Sequence, residues 1–140
     1  MSSIERKYKV PLAELIDRLT VDQIKEVLLS EGKSSYANEM EIIEHDINLI
    51  VTERGIGFNA RLLRIVVALS QLNLHIWLLK ERMQQEPEKY NDFLKLAHQL
   101  NGIRNRMKNL ILEETGDREK SAQRTNVGTD GLTGWDVSIY

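Results

Sequence analysis

Apolar residues recur along most of this chain at intervals of three and four, the repeat of one face of an α-helix. Leu12, Leu15, Ile16 and Leu19 follow Pro11 at that spacing and predict a short first helix with proline in its opening turn. Thr20 and Gln23 stand three apart, as in a capping box. They predict a second helix that carries Val21, Ile24, Val27 and Leu28 and ends at Gly32. After Lys33-Ser34-Ser35, the series Tyr36, Met40, Ile43, Ile47 and Ile50 marks a third helix, which Gly55 and Gly57 break. A fourth is expected from about Asn59 to Gln85, apolar nearly all round in its middle as a central helix would be. Glu86-Pro87-Glu88 reads as a turn. A fifth helix, from about Tyr90 to Glu114, turns Phe93, Leu96, Leu100, Ile103, Met107, Leu110 and Ile111 inward. The pattern therefore predicts an all-α five-helix bundle whose last two helices form a long antiparallel hairpin.

The helical period stops at Gly116. Residues 1–115 form the expected helical domain, and 116–140 an extended tail that holds four of the eight glycines. The tail ends on Leu132, Trp135, Val137, Ile139 and Tyr140, with Val137 and Ile139 alternating with polar residues as in a short strand. Such an end is expected to dock, either on its own bundle or on a neighbouring chain.

Composition narrows the class. The chain has 140 residues, 41% of them hydrophobic, and no cysteine, which rules out disulfides, thiolate metal sites and thiol nucleophiles. Met1 to Lys9 lacks the apolar stretch of a signal peptide. The most apolar run, Leu62 to Leu79, is interrupted by Arg64, Ser70, Gln71, Asn73 and His75 and reads as a core helix rather than a membrane span. A cytosolic protein, of a bacterium or an infected host cell, is the expectation. The net charge of -2 conceals an asymmetry. Between Tyr36 and Arg54 five acidic residues face one basic residue, whereas between Arg61 and Lys108 nine basic residues face four acidic ones.

Polar residues fall on one line within that basic half. His98, Asn101, Asn105 and Lys108 share a face of the last helix, and Ser70, Asn73, Trp77 and Lys80 have the same spacing on the helix before it. Folding about Pro87 would set Trp77 near His98, Asn73 near Asn101 and Ser70 near Asn105. Inward asparagines need a reason, because the residue is a poor helix former and a buried amide without partners costs about 1–3 kcal/mol. Two readings stay open. In one, the stripes satisfy one another and set the register of the hairpin. Alternatively they line a pocket in which Lys80, Arg104 and Lys108 meet phosphate or carboxylate and Trp77 stacks on a ring.

Catalytic patterns are incomplete. Glu41-Ile-Ile-Glu44 matches half of the magnesium motif of MazG-type pyrophosphohydrolases, with no Glu-x-x-Asp after it, and His45-Asp46 lacks further histidines in the right order. No phosphate-binding glycine loop or nucleophile elbow is present. Arg104, Arg106 and Lys108 alone, in a chain of pI about 5.9, do not make nucleic acid the expected partner.

Leu15-Ile16-Asp17-Arg18-Leu19-Thr20-Val21 with Lys25, together with Asn73, Trp77, Lys80 and Asn101, Arg104, Asn105, Lys108, resembles an uncharacterised family of small helical proteins of bacteria and phages. The resemblance spans roughly Leu12 to Ile111. It implies an all-α fold and one polar cluster of Asp17, Arg18, Lys25 and the hairpin stripe, and it implies no reaction. An Asp17–Arg18 pair holding the first helix to the bundle is the structural alternative. The leading expectation is a non-catalytic, self-associating protein that captures a small anionic ligand, a nucleotide or sugar phosphate, as a phage protein sequestering a nucleotide signal would. It needs no cofactor. The alternatives are an assembly component that uses its tail, and a metal-dependent hydrolase that uses Glu41, Glu44 and His45.

Overall fold

The computed structural model of the protein describes residues 10–116, 132 and 134–139. Its architecture is all-helical, with α1 (Leu12–Leu28), α2 (Lys33–Arg54), α3 (Ala60–Gln85) and α4 (Tyr90–Thr115), and a 3₁₀ turn at Pro87–Lys89 before α4. Four α-helices therefore stand among the described residues where five were expected. The two expected segments on either side of Thr20 are one continuous helix. Thr20 Oγ1 does not cap a new helix; it donates back to the Asp17 carbonyl at 2.7 Å, a bond that a threonine makes inside a helix. A capping box and an interior back-bonding threonine look alike in sequence, and burial of Thr20 against α3 decides between them.

The remaining helix ends follow local chemistry. Asn59 Oδ1 accepts from the Leu62 amide at 2.8 Å and starts α3. Gly55, at φ 62°, closes α2 in the left-handed conformation, and the Ile56 amide reaches back to the Val51 carbonyl at 3.0 Å.

The core lies where α1 crosses α3 and α4. Leu62, Ile65, Leu69 and Leu72 of α3 meet Leu100, Met107 and Ile111 of α4 and Leu12 of α1, and all eight side chains are fully buried. Burial of each such side chain is worth about 1.5–3 kcal/mol of transfer free energy, so this three-helix contact holds the fold. Contacts between α3 and α4 pair early residues of one with late residues of the other. Arg61 Nε lies 3.4 Å from Glu114 Oε2, Asn73 accepts from Arg104, and the Arg82 guanidinium sits 4.5 Å from the centre of the Phe93 ring.

Helix α2 differs from the rest, because its backbone comes close to α1 and to neither α3 nor α4, while its Ile47 and Ile50 side chains reach the edge of the main core. Its seam with α1 buries Ile24, Met40 and Ile43 as a set apart from the main core. Across the same seam the Lys25 ammonium lies 5.7 Å from the Tyr36 ring centre, and the Lys33 ammonium donates to the Glu26 carbonyl.

The tail segment 134–139 rests on α3 of its own chain. Ile139 is buried in the main core, Trp135 meets the His75 ring edge-on at 4.8 Å, and the Arg64 guanidinium donates to Ser138 Oγ at 2.5 Å. Leu132 and Val137 pack against the same core. No strand forms among the described tail residues, so the alternation of Val137 and Ile139 serves docking on a helix rather than pairing in a sheet. Tyr140 lies outside the described residues.

Candidate functional site

The polar residues of α1, α3 and α4 converge in one buried cluster. Asp17 on α1 is its centre. The Asn73 amide of α3 donates to Asp17 Oδ1 at 2.8 Å and to Thr20 Oγ1 at 2.7 Å. Arg104 of α4 donates from Nε to Asn73 Oδ1 at 2.7 Å, from one terminal nitrogen to Asp17 Oδ2 at 2.5 Å, and from the other to Asn101 Oδ1 at 3.2 Å. Lys108 Nζ lies 2.6 Å from Glu14 Oε1 and 3.9 Å from Asp17 Oδ2.

Positions 14, 17 and 20 lie on adjacent turns of α1, so the helical rise brings Glu14, Asp17 and Thr20 into one row facing α3 and α4. Two carboxylates face two cations, and the cluster is balanced in charge. Balance matters here, because Asp17, Thr20, Asn73 and Lys108 are all buried and an uncompensated charge would be costly at that depth. Asn73 uses both amide hydrogens and its oxygen, and both oxygens of Asp17 accept a bond.

Of the residues singled out in the sequence, Asp17, Asn73, Asn101, Arg104 and Lys108 meet here. Asn73 and Asn101 are neighbours through Arg104, which bonds both, rather than through each other. The other five are placed differently. Trp77 donates to Glu81 Oε1 on its own helix at 3.0 Å, and Lys80 is exposed. Lys25 faces the Tyr36 ring, Arg18 is exposed, and Asn105 is half-buried. Ser70 lies beside Val66 and Val67 in a groove toward α1 and α2. Glu14 and Thr20 are cluster members the sequence reading missed. The row 14-17-20 was legible as a three-residue repeat around Asp17, and reading Thr20 as a cap concealed it.

Two further features surround this cluster. A groove of about 560 Å³ runs between α2 and α3 over α1, lined by Leu19, Met40, Val66 and Val67 with Glu26 and Glu44 among its ionisable residues. Beneath α2, Asp22 is buried, one of its carboxylate oxygens has no partner, and its neighbour across the seam is Glu39. The metal reading finds no support in geometry. Glu41, Glu44 and His45 are exposed, His45 Nδ1 contacts only the adjacent Asp46 at 3.2 Å, and no group of three potential ligands converges among the described residues.

The outer side of α3 is the other unusual surface. Leu63, Val67, Leu74 and Leu78 are 61%, 59%, 36% and 38% exposed. By length and composition α3 is apolar enough to cross a membrane, yet only 33% of its most apolar window is buried within the chain. The expectation of a central helix is therefore corrected: α3 is covered by α1, α4 and the tail on one side, while the other stays open, with α2 across the groove at Val67. Comparison with protein-family models, with characterised proteins and with solved structures finds no match.

Proposed function

We propose that this protein is a non-catalytic assembly component that binds a second copy of itself through the outer face of α3. The observation that carries this reading is the exposed stripe Leu63, Val67, Leu74 and Leu78. Apolar patches of this kind on a soluble chain mark interaction surfaces. The spacing of four, seven and four is the same read in either direction. An antiparallel pairing about a two-fold axis level with Ser70 and Gln71 sets Leu63 of one copy opposite Leu78 of the other, and Val67 opposite Leu74. That self-complementarity is what an isologous interface requires. The stripe is roughly 22 Å long at 1.5 Å per residue, long enough for a helix-to-helix seam.

Within this reading α3 and α4 form an antiparallel hairpin, supported by the pairing of Arg61 with Glu114, Asn73 with Arg104 and Arg82 with Phe93. The buried cluster serves as its pin to α1. Capture of a small anion by Arg104 and Lys108 has less support, because Asp17 and Glu14 already occupy the positions a phosphate would take. The test is the native mass of the full chain beside that of Leu74→Arg. A dimer that becomes a monomer with an unchanged helical spectrum supports the proposal. A wild-type monomer, including one recovered on lipid vesicles, overturns it.

A further inference from the structure

The seam between α1 and α2 holds a second inference, independent of self-association. Three observations meet there. The backbone of helix α2 approaches α1 alone, over a seam that buries Ile24, Met40 and Ile43, while Ile47 and Ile50 farther along α2 pack against the main core. Asp22 sits in the middle of that attachment, 3% exposed, with Oδ2 unpartnered. The group opposite it on α2 is another carboxylate, Glu39, within hydrogen-bonding reach.

Two carboxylates share a hydrogen bond only when one of them carries a proton. We infer that Asp22 is a proton-dependent latch: protonated, it donates to Glu39 and holds α2 on α1; ionised, it repels Glu39 and loosens α2, which forms one wall of the groove.

The charges acting on Asp22 are Glu39 from α2 and Lys25 and Arg18 from its own helix. Burial, followed by the bond to and the charge of Glu39, raises its pKa from 3.8 to about 6, against the smaller opposing pull of Lys25 and Arg18. A carboxyl raised in the folded state binds its proton more tightly there than in the released state. The latch is therefore fully engaged below about pH 4 and is lost as pH rises through about 6.

Hydrogen exchange on the full chain at pH 5 and pH 7.5, corrected for intrinsic rates, reads this directly. In the wild type, protection of α2 amides relative to α4 should fall by about tenfold or more at the higher pH, since each pKa unit corresponds to a factor of ten. Asp22→Asn, whose amide donates to Glu39 at any pH, should abolish the fall. Glu39→Gln should abolish it too, and it decides the matter if Asp22→Asn does not fold. An α2-to-α4 ratio equal at the two pH values in the wild type overturns the latch, as does a fall that survives in both variants.

Discussion

The two sides of α3 share a helix and an apolar composition, yet they are opposite in how their needs are met. The inner side buries Leu62, Ile65, Leu69 and Leu72 and sets Asn73 among Asp17, Thr20 and Arg104, with each of its amide groups bonded. The outer side leaves Leu63, Val67, Leu74 and Leu78 open. Burial with full polar satisfaction produces stability, whereas the open, self-complementary apolar line is the face through which we propose association. The comparison shows that an all-round apolar helix need not be a central one. Its second face can be reserved for another molecule.

Breaking the inner side should have the largest effect. Asp17→Ala leaves the half-buried Arg104 without its carboxylate and the buried Lys108 with Glu14 alone, and removal of one partner from such a set costs about 3–5 kcal/mol. Urea unfolding monitored by helical signal should show that loss. Asn73→Ala removes three hydrogen bonds but no charge, so about 1–3 kcal/mol is expected in the same assay. At the outer side, Leu74→Arg should shift the monomer's own stability by no more than about 0.5 kcal/mol while abolishing association. A large loss of stability in Leu74→Arg, or none in Asp17→Ala, would erase the distinction between the faces.

The α1–α2 seam adds a third condition, neither satisfied nor open. In the Asp17 cluster opposite charges meet at depth, whereas at Asp22 two acids meet and depend on a proton. That difference explains why a pH response is expected of α2.

Much of this was legible in the residues, for identifiable reasons. Helix ends at Asn59, Gly55 and Gly116 depend on chemistry within a few residues, and the sequence shows it. Asn73, Asn101, Arg104 and Lys108 stood out because polar residues broke an apolar rhythm. What could not be read was how many neighbours each face would find. The outer side of α3 and the inner side have the same hydrophobic pattern, and only tertiary packing separates them. Thr20 was ambiguous for the same reason, since its hydroxyl takes whichever acceptor the fold brings. Asp22 carried no signal in the sequence, because its burial comes from the packing of α2 on α1.

In the proposed dimer α3 meets α3 in antiparallel fashion at the level of residues 70 and 71. The absence of cysteine from the chain makes a direct measurement simple, because a single introduced thiol has no competitor. Gln71 is exposed and lies beside the proposed two-fold axis, so Gln71→Cys should cross-link to its own copy under mild oxidation or with a short bismaleimide. Leu63→Cys, whose counterpart across the seam is Leu78 rather than Leu63, should not. Cross-linking of both variants alike, or of Leu63→Cys alone, would contradict the antiparallel seam.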